Sequence, residues 1–205
     1  MAAMPTHRTA LTRSLLTDTP KGLPAGGKLR VRRVMIFNGE TFLVPQCIQR
    51  IDSTSTHGWQ VRYHGTKMFS DHTRDGRGAE AALAKATKEL LARIAAHPAP
   101  VVLQRAPSSN KTSGLPAGIS GPIVRVRPDR GTRTAALSVL LPQFNDKPRV
   151  RSVYIGSERT YTLQRFRAAL AKAKALRAEA MAAYAQAATR ARRAAARELK
   201  ATIKR

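Results

Sequence analysis

From Trp59 to His64 the side chains alternate in character. Trp59, Val61 and Tyr63 are large and mostly apolar, and Gln60, Arg62 and His64 between them are polar. A strand turns successive side chains to opposite faces, so one face here is apolar and the other polar with one fixed positive charge. Shorter extended stretches are expected on either side, at residues 47–52 and 67–70. After a loop punctuated by Gly76 and Gly78, Ala79, Leu83, Ala86, Leu90 and Ile94 recur in steps of three and four, one stripe of a helix. A sheet with one apolar face, followed by a helix with one apolar stripe, makes a minimal two-layer core. The other sheet face is left to touch something else.

Upstream, residues 1–27 mix Thr, Pro, Gly and Arg without a period and read as a flexible basic arm. Residues 28–37 have strand character, Asn38-Gly39 is a hairpin turn signal, and residues 40–44 run back. This hairpin is expected beside the sheet or across its edge. The first domain, 28–97, ends where Pro98, Pro100 and Pro107 stop the helix and open a linker over 98–114. A second domain, 115–184, repeats the order of elements. Extended stretches at 118–127, 133–141 and 149–155 precede a helix from about Leu163. Leu137, Val139 and Leu141 share one face of the middle stretch. The word AALAKA occurs in both helical regions, at Ala81–Ala86 and Ala168–Ala173, and the shared order argues for an internal repeat. The predicted fold class is therefore α+β: two small domains, each a three-stranded antiparallel sheet packed on one helix, with a long basic C-terminal helix. From Leu163 onward there is no Gly or Pro. The stripe Phe166, Leu170, Ala173, Leu176, Ala180, Tyr184 is expected to pack on the second sheet. Beyond Tyr184 the stripe is mainly alanine while Arg and Lys accumulate, so residues 185–205 are expected to extend from the fold as a basic helical tail.

Charge narrows the class of partner. The 205 residues hold 37 Lys plus Arg against 12 Asp plus Glu, a net of +25. That imbalance suits a densely negative partner: DNA, RNA or an acidic surface. No apolar run reaches the roughly 18 residues of a membrane span, and no apolar signal core follows Arg8 and Arg13. A cytoplasmic, nucleoid setting is expected, with no membrane partner. The single cysteine, Cys47, excludes an internal disulfide and a thiolate zinc cluster, and reads as a small buried apolar group. Residues 35–98 carry only +2, whereas residues 164–205 carry +10 with Glu179 and Glu198 as the only acids. Most of the attraction for a polyanion must come from the flanks and the C-terminal half.

The run Ile48-Gln-Arg-Ile-Asp, then Gly58-Trp-Gln-Val-Arg-Tyr, Phe69-Ser-Asp, and Gly76 and Gly78 before Ala81-Ala-Leu-Ala-Lys-Ala resembles the bacterial and phage branch of the APETALA-two/ethylene-response-factor DNA-binding domain. Val153-Tyr154-Ile155-Gly156 resembles the third strand of the same family, which suggests two copies in tandem, although the second has no Trp. The resemblance implies a three-stranded sheet that enters the major groove of double-stranded DNA with the helix behind it. It places Trp59 toward the helix, in the core.

Candidate DNA-binding residues follow from the polar faces and the basic flanks. In the first domain they are Gln49, Arg50, Gln60, Arg62, His64 and Lys67. In the second they are Arg125, Arg127, Arg133, Arg151 and Tyr154, with Arg125 and Arg127 on one face of their strand and Val124 and Val126 on the other. On the final helix they are Arg190, Arg193 and Arg197. Arg can bond guanine O6 and N7 together, and Gln can pair with adenine. The plainer reading is that these are solvated residues of antiparallel strands; the charge excess and the resemblance weigh against it. His64, Asp71 and His72 match no zinc-site spacing, so neither a metal, a cofactor nor catalysis is expected. The leading expectation is a non-enzymatic DNA-binding protein of a bacterium or phage, either a transcription regulator or an architectural, nucleoid-associated factor. The alternative is an RNA- or ribosome-associated basic structural protein. A third is the targeting half of a nuclease without its catalytic domain.

Overall fold

A computed structural model describes residues 29–126 and 131–203. The arm assigned to residues 1–27, Arg127 at the end of the stretch 118–127, and Lys204 and Arg205 of the helical tail lie outside the described residues. The fold is α+β, with three small antiparallel sheets and two helices among the described residues.

Strands β1 (Val31–Met35) and β2 (Thr41–Pro45) form a hairpin. Asn38 Oδ1 accepts the amide of Glu40 at 3.0 Å, and Gly39 takes φ +90°, a value suited to glycine. Strands β3 (Ile48–Asp52), β4 (His57–Arg62) and β5 (Thr66–Ser70) form the second sheet, in sequential order. Ile48, Trp59 and Val61 face helix α1 (Ala79–Ala96), which buries Ala79, Ala82, Ala86, Leu90 and Ile94 against them. Leu83, expected in the stripe, packs at its margin. The hairpin does not extend this sheet but lies against its β3 edge, where Arg32 Nη2 donates to the Ile48 carbonyl at 3.3 Å. It forms a sheet of its own, lays Ile36 and Val44 into the same core, and sets Phe42 edge-on to Trp59 at 5.9 Å between ring centroids.

Strands β6 (Ile119–Val126), β7 (Arg133–Leu141) and β8 (Arg149–Ser157) form the third sheet, with β7 in the middle. Ile119, Leu137, Val139, Val153 and Ile155 meet Ala169 and Ala173 of helix α2 (Leu163–Ile203). Phe166, Leu170 and Leu176 pack at the margin of this core. Gly118, at φ +70°, leaves the space that the Arg177 guanidinium fills; a Cβ there would meet that group.

Beyond Tyr184 the helix departs from the expectation of a free tail. It stays helical to Ile203, Ala196 belongs to the first core, and Arg192 is only 6% exposed. Alanine explains the difference. A small side chain lets two helix backbones approach closely, so an alanine stripe buries surface that hydropathy alone undervalues. The linker follows the same helix. Ala99 N donates to Thr189 Oγ1 at 3.0 Å, and Arg177 Nη2 donates to the carbonyl of Gln104 at 3.1 Å. The helix climbs about 18 Å between those two side chains, and the linker between Ala99 and Gln104 reaches about 17 Å when extended. The linker therefore runs antiparallel to α2, which touches both sheet–helix units.

Candidate nucleic-acid interface

Strand register decides which side chains share a face. In the first unit, Gln49, Gln60 and Met68 lie in one cross-strand row and Arg62 and Thr66 in another. Both rows alternate with the buried rows of Ile48–Val61 and Trp59, so they point away from α1. Arg62 Nε donates to Gln60 Oε1 at 2.5 Å, which holds the two side chains together on the open face. Gln60 and Arg62 thus share the face that the alternation predicts, and the register adds Gln49 to it.

Three other first-unit candidates stand elsewhere. Arg50 lies opposite Trp59 in the register, on the helix side. Its Nη1 and Nη2 donate to Asp71 Oδ1 and Oδ2 at 3.0 and 2.6 Å, and its Nε reaches Asp52 Oδ1 at 2.9 Å. The guanidinium lies 4.9 Å from the centre of the Trp59 ring. The Asp71 side chain is 0% and that of Arg50 6% exposed, so this is a buried structural ion pair rather than a groove contact. Burial alone would pull the Arg50 pKa down; the bonds it donates to Asp71 and Asp52 outweigh it and hold the pKa above its ordinary value. Lys67, opposite Val61, also lies on the helix side, where Nζ meets Glu89 Oε2 at 3.3 Å. His64 is not in a strand. β4 ends at Arg62, and His64 takes φ +48° in the following turn, where Nε2 pairs with the Pro98 carbonyl at 2.8 Å and the ring stacks on His97. A His-Gly turn forces this, since both His64 and Gly65 adopt positive φ. Asp71, engaged with Arg50, does not join His64. Cys47 sits in the turn before β3, half-buried, and burial raises its thiol pKa, with Arg192 pulling the other way.

The third sheet presents a second open face. Arg125 pairs with Thr134, and Tyr154 with Ala136, in rows that alternate with buried Leu137 and Val139. Both are exposed, and Arg125 and Tyr154 share this face. Ser120, Ala136, Ser138 and Ser152 supply small side chains to the same face. Sequence reasoning did not single these out; the run of small residues at alternate positions of β7 was the available signal. Arg133 and Arg151 are exposed but belong to the alternate rows, on the α2 side, beside Val126 and Val139. Arg127 lies outside the described residues. On α2, Arg190, Arg193 and Arg197 are exposed and fall with Lys200 at helical spacing along one side.

The ion pairs are unevenly placed. Among the described residues, all of them join groups between Arg50 and Arg93. The cations of the third sheet and of α2 have no carboxylate partner in that set. Also among the described residues, no helix is long and apolar enough to cross a membrane. Compared with family models, curated proteins and solved structures, the chain matches none of them.

Proposed function

We propose that this chain is a non-enzymatic double-stranded DNA-binding protein, acting as a transcription regulator or as an architectural, nucleoid-associated factor of a bacterium or phage. The observation that carries the reading is the positive charge of the second half, which has no ion-pair partner among the described residues, combined with two sheet faces turned away from their helices. Phosphate binding needs cations that are not already paired. Base readout needs a surface that fits a groove, and a sheet can enter the wide major groove of B-DNA. Gln60 and Arg62 on one face, and Arg125 and Tyr154 on the other, are the base-edge readers. Arg190, Arg193 and Arg197 hold phosphates. Arg50, Lys67 and His64 leave the interface: Arg50 is held in a buried ion pair, Lys67 pairs with Glu89 on the helix side, and His64 is bonded to the Pro98 carbonyl in the turn after β4. The resemblance to the APETALA-two/ethylene-response-factor domain supports the same use of the first sheet.

Matched DNA and RNA duplexes in one competition assay test it. The deep, narrow major groove of A-form RNA does not admit a sheet. The reading predicts a clear preference for the DNA duplex. Equal affinity, or preference for RNA, would replace it with the RNA- or ribosome-associated alternative.

A further inference from the structure

A groove of about 1410 Å³ runs between α1, the C-terminal part of α2 and the outer side of the β1–β2 hairpin. Its floor is apolar: Val31, Leu43, Leu83, Leu91 and Leu199. Leu43 is 65% exposed, an unusual position for a leucine on a structured strand. Along the rim stand Lys88, Arg190, Arg193, Arg197 and Lys200, against one lining acid, Glu80. The groove exceeds the roughly 300–1,000 Å³ of small-molecule sites. Its α1 wall, Glu80 to Ala95, is about 22 Å long, the length of a helix of some four turns.

We infer that this groove docks an acidic amphipathic helix of a partner protein. Apolar side chains at helical spacing cover the floor, and carboxylates on either side of them meet the rim, the helix-in-groove mode of recognition. Charge selects this occupant over the others. A nucleic acid could satisfy the rim but would leave the leucine floor uncovered. A second copy of this chain, or its own segment 1–28, brings further positive charge to a positive rim, in a chain that already carries +25. The inference stands on the groove and not on the DNA-binding reading. On that reading, however, Arg190, Arg193 and Arg197 are shared, so such a partner competes with DNA for α2.

The test uses the full-length chain without DNA. The probe is a fluorescent Glu/Leu peptide of about sixteen residues with leucines at helical spacing, set against a scrambled peptide of identical composition. The amphipathic peptide is expected to bind at least about tenfold more tightly than the scrambled one and to gain helicity on binding. Leu43→Glu and the pair Arg193→Glu, Arg197→Glu should each weaken it by about tenfold or more. All three side chains are exposed, and circular-dichroism melts check that the variants remain folded. Equal binding of the two peptides would mean charge attraction alone and would overturn the inference. A synthetic peptide of residues 1–28 that displaces the probe would make the chain's own arm the occupant. A dimer that Leu43→Glu dissociates would make it a second copy.

Discussion

Replacing Trp59 by alanine removes the largest side chain of the first core. The ring is 0% exposed, Nε1–H donates to the Ala79 carbonyl at 2.8 Å, and both Phe42 and the Arg50 guanidinium rest on it. Truncating a buried aromatic of this size costs about 3–5 kcal/mol through lost transfer energy and the cavity left behind. The hydrogen bond contributes about 1 kcal/mol of that range, because Ala79 opens α1 and its carbonyl still has a helical partner. Trp59→Phe separates the two contributions. It keeps an aromatic ring in the site and loses the bond and part of the volume, so its cost should be about 1–2 kcal/mol. A domain of this size is stable by only about 5–15 kcal/mol, so the alanine variant should show a markedly lower urea midpoint and the phenylalanine variant a small shift. DNA affinity, measured where each variant is still folded, should stay near the parent's. A Trp59→Ala protein that melts like the parent yet loses DNA affinity would refute the reasoning, since the ring would then face the partner.

Asp71→Ala strands a buried guanidinium and should cost about 3 kcal/mol, the low end for a broken buried pair because Asp52 still holds Arg50; equal urea midpoints for variant and parent would contradict this. Deleting residues 185–205 should destabilise the first sheet–helix unit as well as weaken phosphate binding, because Arg192 and Ala196 are buried there and Thr189 anchors the linker; an unchanged thermal melt would restore the free-tail expectation. Hydrogen bonds from Arg93, and then from Lys67, hold the Glu89 carboxyl below the ordinary carboxylate range. Its folded pKa is thus depressed, so its contribution is complete above the unfolded value and is lost as pH falls through the folded one. Glu89→Gln should flatten this part of the acid limb of a stability–pH profile, and salt should shrink the difference because the pair is exposed.

Much of this architecture was legible in the chain. The alternation of Trp59, Val61 and Tyr63 located the core face of β4, and all three are buried. The bounds of β7 agree with the stretch read at 133–141, and α2 begins at Leu163, about where the composition placed its start. What escaped the sequence was tertiary in origin. Arg50 reads as an outward polar residue until the antiparallel register sets it opposite Trp59 and the chain returns Asp71 beneath it. Close approach of the chain here also explains Gly78, whose Cβ would collide with the carbonyl oxygen of Asp71. Lys67 was misplaced for the same reason, since only the register reveals that its row is shared with Val61. The α2 terminus misled because alanine signals helix propensity strongly and burial weakly. Its neighbours are α1 and the first core, far away in sequence.

The central claim is that an open sheet face reads base edges while α2 holds phosphates. It is tested most directly by measuring Arg62→Ala and Arg125→Ala against the parent, each on a site selected from random DNA and on unselected DNA. The account predicts a loss of about 1–3 kcal/mol on the selected site and a smaller loss on unselected DNA. Equal losses on both would reduce these arginines to phosphate contacts, and no loss on either would remove the sheets from the interface.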